Sequence, residues 1–275
     1  MPQLMRTSNP ALSDSAFRGQ PNRGAQAIPY GTQGQYGERF GRGGGFSDIT
    51  SRMTLNGTIN KTGILLVCAI ATAGWTWHLF MQSGNPADVG PWLFGGLIGG
   101  FICALITIFK KEWSPVTAPA YALLEGLALG GISAMYNVQS SGIAIQAVGL
   151  TFGTLFVLLL AYRSGLIKVT EKFRLGIIAA TGGVAVFYLL EMVLGIFGIH
   201  FTSINGSGVI GIGFSLIVVC IAALNLVLDF DFIEKGVQYG APKYMEWYGA
   251  FGIMVTLVWL YLEMLRLLSK VSRRN

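Results

Sequence analysis

The chain has 275 residues, of which 52% are hydrophobic and 12% charged, with a net charge of +6. Soluble domains are about a quarter charged, so this composition excludes an ordinary soluble protein and points to an integral membrane protein. The positive balance then reads as membrane topology rather than as a surface for nucleic acid, and the odd cysteines Cys68, Cys103 and Cys220, all inside apolar runs, exclude a disulfide framework and read as small buried hydrophobes.

Residues 1–55 come first and are rich in Gly, Ser, Asn, Gln, Pro and Arg, as in "RGQPNRGAQAIPYGTQGQYGERFGRGGGF". Such a segment buries too little apolar area to offset ordering entropy, so a disordered, solvated tail is expected. It lacks the n-region and h-region of a cleaved signal peptide, because the first apolar run starts only after Lys61.

A helical transmembrane domain is expected over residues 56–275, with apolar runs at 62–82, 91–109, 116–137, 142–162, 174–199, 207–230 and 247–268. Each is long enough to cross about 30 Å of hydrocarbon, and helices satisfy their own backbone in lipid. The expected fold is therefore an all-α membrane protein, a seven-transmembrane helix bundle. Small residues in "GGLIGG" (95–100) and "TGG" (181–183) predict close helix approach.

Orientation follows from Lys and Arg in the connections. The tail carries Arg6, Arg18, Arg23, Arg39, Arg42, Arg52 and Lys61. The second-to-third connection has Lys110 and Lys111, the fourth-to-fifth has Arg163, Lys168, Lys172 and Arg174, and the sixth-to-seventh has Lys235 and Lys243. The alternate connections, around "NPADVG", "NVQSSG" and "HFTSING", have neither residue type. The N-terminus is thus expected in the cytoplasm, with the protein in the cell membrane. One conflict stands: seven crossings place the C-terminus outside, yet it carries Arg266, Lys270, Arg273 and Arg274. Either early helices dominate the topology or the last segment re-enters.

Acids within or at the ends of these runs are the candidate functional residues: Glu125, Glu191, Asp229, Asp231 and Glu263. A charged carboxylate at the bilayer centre costs at least about 2.5–3.5 kcal/mol. Such groups should face the bundle interior, protonated or sharing a proton, and when charged they offer hard oxygen ligands to Ca²⁺ or another cation. The duller alternatives are solvation of Asp231 and Glu234 at the end of segment six, and a local pair of Glu263 with Arg266. His78 reads as interfacial and His200 as a loop residue. No glycine-rich nucleotide loop, standard metal-ligand spacing or Ser/His/Asp arrangement is present, so no cofactor and no enzyme activity are expected. An aspartyl protease would want facing aspartates in a GxGD-type motif, which is not seen.

The opening "MRTSNPALSDSAF" and the stretch "LVLDFDFIEKG…GAPKYMEWYGAFG…LVWLYLEMLRLL" resemble the bacterial branch of the Bax inhibitor-1 (YccA-like) membrane family. The resemblance implies a pH-sensitive calcium leak channel, in which acids on helices six and seven share a proton and latch the pore. Its helix-six motif lands on Asp229 with Ile233, with Asp231 as a rival. The helix-seven partner is Glu263 by one pattern and Thr256 by another. At about 1.5 Å per residue, Glu263 falls roughly 10 Å nearer the outer face than Asp229. A ladder of acids with Glu125 and Glu191 as rungs therefore stands beside a direct pair. The alternative function is a non-conducting membrane protein that modulates a protease or other membrane complex. Expected partners are membrane lipid, Ca²⁺ as the transported ion and a membrane protein, with no nucleic acid.

Overall fold

The structure, a computed structural model, describes residues 52–198 and 201–274. The expected tail lies outside the described residues as far as residue 51, and so does His200. Seven long helices follow in chain order: α1 (Leu55–Ser83), α2 (Pro86–Phe109), α3 (Ser114–Gln139), α4 (Ile143–Arg163), α5 (Glu171–Ile196), α6 (Val209–Gln238) and α7 (Met245–Ser272). Each is long and apolar enough to cross a membrane. A 3₁₀ turn at Lys111–Trp113 precedes α3, and a single helical turn at Thr202–Asn205 precedes α6.

Local chemistry sets the boundaries. The Thr54 hydroxyl caps α1 by accepting from the Gly57 amide at 3.0 Å, and Asn85 caps α2 by accepting from Ala87 at 3.0 Å. Pro86 occupies the first turn of α2, where its missing N–H costs nothing. Gly84 ends α1 at φ 63°, the left-handed conformation that glycine adopts without a Cβ clash.

Seven antiparallel crossings give two faces. The proximal face carries the start of α1, whose Met53 amide donates to Ala241 O at 2.7 Å in the α6–α7 connection. The distal face carries the ends of α1, α3, α5 and α7, where the Ser140 and Ser272 hydroxyls meet at 2.9 Å. Helix α7 is a single uninterrupted helix whose end reaches the distal face, so the re-entrant alternative for the last segment does not hold.

Helices α3 and α7 are the most enclosed and the others surround them. One apolar cluster joins Leu65 and Ala69 of α1, Tyr121 and Ala122 of α3, and Met254 and Val258 of α7. A second joins Ala144 and Ala147 of α4, Val219 and Leu226 of α6, and Leu257 and Leu260 of α7. In lipid the helices gain little from leaving apolar surroundings, so close contact and hydrogen bonds decide their association. Glycines supply that contact. A Cβ on Gly126 would lie 2.8 Å from Ala69 Cα, and one on Gly130 would lie 2.8 Å from the Ala73 carbonyl carbon. Of the glycines expected to pack, Gly96, Gly99 and Gly100 on α2 meet α3, whereas Gly95 on α2 and Gly182 and Gly183 on α5 face open space. Cys220 is exposed, and Cys68 and Cys103 are half-buried, rather than core hydrophobes throughout.

Candidate functional site

The two aspartates of "LDFDF" lie inside α6, which runs on to Gln238, well past the apolar run. Two residues on a helix are about 200° apart, so the carboxylates leave opposite sides of α6. Asp229 turns to α7, where its Oδ2 accepts from the Thr256 hydroxyl at 2.6 Å. A Cβ on Gly252, one turn before Thr256, would stand 3.7 Å from Asp229 Oδ1, so the carboxylate lies along this face of α7. Asp231 turns instead to α5. Its Oδ2 receives Arg174 Nη2 at 2.6 Å and Lys235 Nζ at 2.8 Å. The residue is buried, at 8% exposed, so solvation at the helix end does not describe it.

Glu263 is also enclosed, with Arg266 Nη1 at 3.2 Å and the Tyr188 hydroxyl of α5 donating to it at 2.9 Å. Arg266 in turn bonds the Tyr188 hydroxyl and lies over its ring, 4.8 Å from the centroid. Glu191, half-buried near the distal end of α5, accepts from the Asn205 amide. Glu125 is buried between α3 and α2, and a Cβ on Gly100 would be 2.8 Å from its Oε2. Asp229 and Glu125 form none of the ion pairs seen among the described residues.

These acids do not gather at one spot, and the direct pair of Asp229 with Glu263 does not form. Asp229 and Glu125 lie at a similar depth, roughly 15 Å from the proximal ends of their helices, but on different helix pairs. Asp231 sits proximally against α5, and Glu263 and Glu191 belong to the distal half. Thr256 rather than Glu263 faces Asp229. His78 is exposed on α1.

Several participants were not legible as site residues. Arg174 and Lys235 counted only as topology signals, yet they neutralise Asp231. Helix α5 buries few apolar residues and is fastened by a series of polar contacts: Arg174 to Asp231, Thr181 to Asn225 at 2.8 Å, and Tyr188 to Glu263. An apolar recess of about 140 Å³ opens between α1, α3, α4 and α7, with Ser133 and Tyr261 in its lining, and a polar cavity of about 370 Å³ opens distally. Asp229 lines neither.

Fold and site together define a multi-span membrane protein whose acids are engaged between helices rather than exposed to lipid. The chain belongs to the Bax inhibitor 1 like family, which it matches over residues 9–273. No curated protein and no solved structure matches it.

Proposed function

We propose that the protein is a pH-sensitive pathway for cations, with calcium as the ion, and that Asp229 is its proton-sensitive gate and cation ligand. One observation carries this reading. Asp229 lies deep in the membrane span on α6, bonded to Thr256 on α7, and forms no ion pair among the described residues. A carboxylate in that place costs free energy, and its cost is recovered when a passing cation or a proton neutralises it. No three His, Cys, Asp or Glu residues cluster among the described residues. A cation therefore meets one carboxylate at a time, its shell completed by water and neutral oxygens. The activity is passage, not catalysis. Protonation removes the charge, weakens cation binding and alters the α6–α7 contact. The proximal face, with its Lys- and Arg-rich connections, is cytoplasmic in this reading.

The test is calcium flux into liposomes containing the purified full chain. Wild-type flux should fall as the medium is acidified, because the protonated acid no longer binds the ion. Asp229→Asn should hold flux at its acid level at every pH. Flux and pH response like the wild type in Asp229→Asn would sink the proposal. Absence of flux in the wild-type protein, with recovery of one stoichiometric membrane partner on crosslinking, favours the interaction role instead.

A further inference from the structure

The polar cavity of about 370 Å³ at the distal face takes no part in the proposed cation path. Its lining includes Tyr136 and Gln139 of α3, Asn205, and Arg266, Lys270 and Arg273 of α7. Positions 266, 270 and 273 are spaced four and three apart, so one face of α7 carries all three cations into one space. Like charges so arranged repel, most strongly where water is scarce.

Their protein partners neutralise them incompletely. Lys270 is buried, and its ammonium donates to Ile204 O at 2.8 Å, Gly211 O at 3.1 Å and the Ser215 hydroxyl at 2.9 Å, all uncharged. Arg273 donates to the neutral Gln139 Oε1. Among the described residues, Arg266 is the one of the three that pairs with an acid, Glu263. No carboxylate is among the described lining residues: Glu263 stands behind Arg266, and Glu191 is held by Asn205. The cavity thus carries three cations among otherwise neutral lining residues, with Glu263 and Glu191 one layer back.

Topology does not account for these charges, because the other Lys- and Arg-rich connections gather at the opposite face. The donor chemistry does. Two guanidinium forks match paired oxygens of an oxoanion, and a lysine adds a point charge. Arg266 to Arg273 spans about 10 Å of helix rise at the end of α7, enough to reach from the edge of the hydrocarbon across a headgroup layer of roughly 5–8 Å. We propose that this cavity binds a phosphate group at the distal face, carried by free phosphate or by the headgroup of an anionic lipid.

The test uses the full chain in phosphatidylcholine nanodiscs. One arm titrates inorganic phosphate and reads the affinity calorimetrically. The other adds phosphatidylglycerol to the nanodiscs and counts retained lipid by native mass spectrometry. Arg273→Gln, on the exposed rim, and Lys270→Met remove cavity charges. Lys168→Gln makes the same charge change on the exposed α4–α5 connection at the opposite face. Phosphate binding weakened about tenfold by Arg273→Gln, the scale of one charge-assisted bond, and unaffected by Lys168→Gln supports a soluble ligand. Phosphatidylglycerol retained over phosphatidylcholine, and lost in Arg273→Gln but not in Lys168→Gln, supports a headgroup. The proposal is overturned if the wild type responds to neither probe, or if Lys168→Gln lowers binding as much as Arg273→Gln. Should Lys270→Met fail to fold, Arg273→Gln still decides.

Discussion

Glu246 begins α7 with its side chain fully enclosed and gathers four donors. The Thr54 amide reaches its Oε1 at 2.9 Å and the Thr54 hydroxyl at 2.8 Å, Lys243 Nζ lies at 2.8 Å, and Lys61 of α1 bonds Oε2. An acid in the first turn also suits the helix dipole. This one side chain therefore ties the entry of α1 to the entry of α7. Glu246→Gln keeps the shape but deprives the part-buried Lys61 of its counter-charge. Breaking a buried pair in this way costs about 3 kcal/mol, so the thermal unfolding midpoint in detergent should drop well below that of Glu112→Gln, an exposed acid. Equal midpoints would contradict the role. Glu246 escaped notice because the last apolar run was begun at residue 247, which left it reading as a loop acid. Asp229 was legible, since it interrupts an apolar run. Its partner could not be chosen from spacing, because Thr256 and Glu263 share a face of α7 and depth separates them.

The helices themselves could be read from run length, because the bilayer demands about 20 apolar residues and leaves few other solutions. Their ends ran further than hydropathy suggested: α1 begins at Leu55 and α6 continues to Gln238, where charged residues find partners within the protein and the helix continues with them. Pairing of helices was less legible. Gly-Gly steps occur on α2, α3 and α5, but a sequence does not say what each glycine faces. On α3, Gly126 and Gly130 lie one turn apart against α1, where a side chain would meet backbone atoms. Gly126→Ala should cost about 1–3 kcal/mol through overpacking. Gly182→Ala on α5, with nothing within 4 Å, should cost nothing and can gain up to about 1 kcal/mol in helix propensity. Unfolding of both variants in one detergent checks the pair. A Gly126→Ala protein as stable as Gly182→Ala would show that α1 and α3 have room to separate.

At the scale of the whole molecule, the cations of the last helix conflicted with an odd number of crossings. The conflict narrows once the partners of three of them are known, with Arg274 exposed at the same end. The positive-inside tendency concerns charges in short connections, whereas Arg266, Lys270 and Arg273 are engaged by Glu263 and Tyr188, by Ile204, Gly211 and Ser215, and by Gln139. These contacts join the end of α7 to the end of α3 and the start of α6. The C-terminal end of α7 must then share a face with the α3–α4 connection and oppose the α6–α7 connection. In a background with Cys68, Cys103 and Cys220 replaced, single cysteines at Ser140, Ser272 and Lys243 report this directly. A membrane-impermeant thiol reagent should modify Ser140→Cys and Ser272→Cys from one side of oriented vesicles and Lys243→Cys only from the other. Ser272→Cys reacting together with Lys243→Cys would mean that α7 folds back within the membrane, and the seven-crossing bundle would fall with it. The distal cavity would then lose its α7 wall, because the three cations would lie at the opposite face from Gln139 and Asn205.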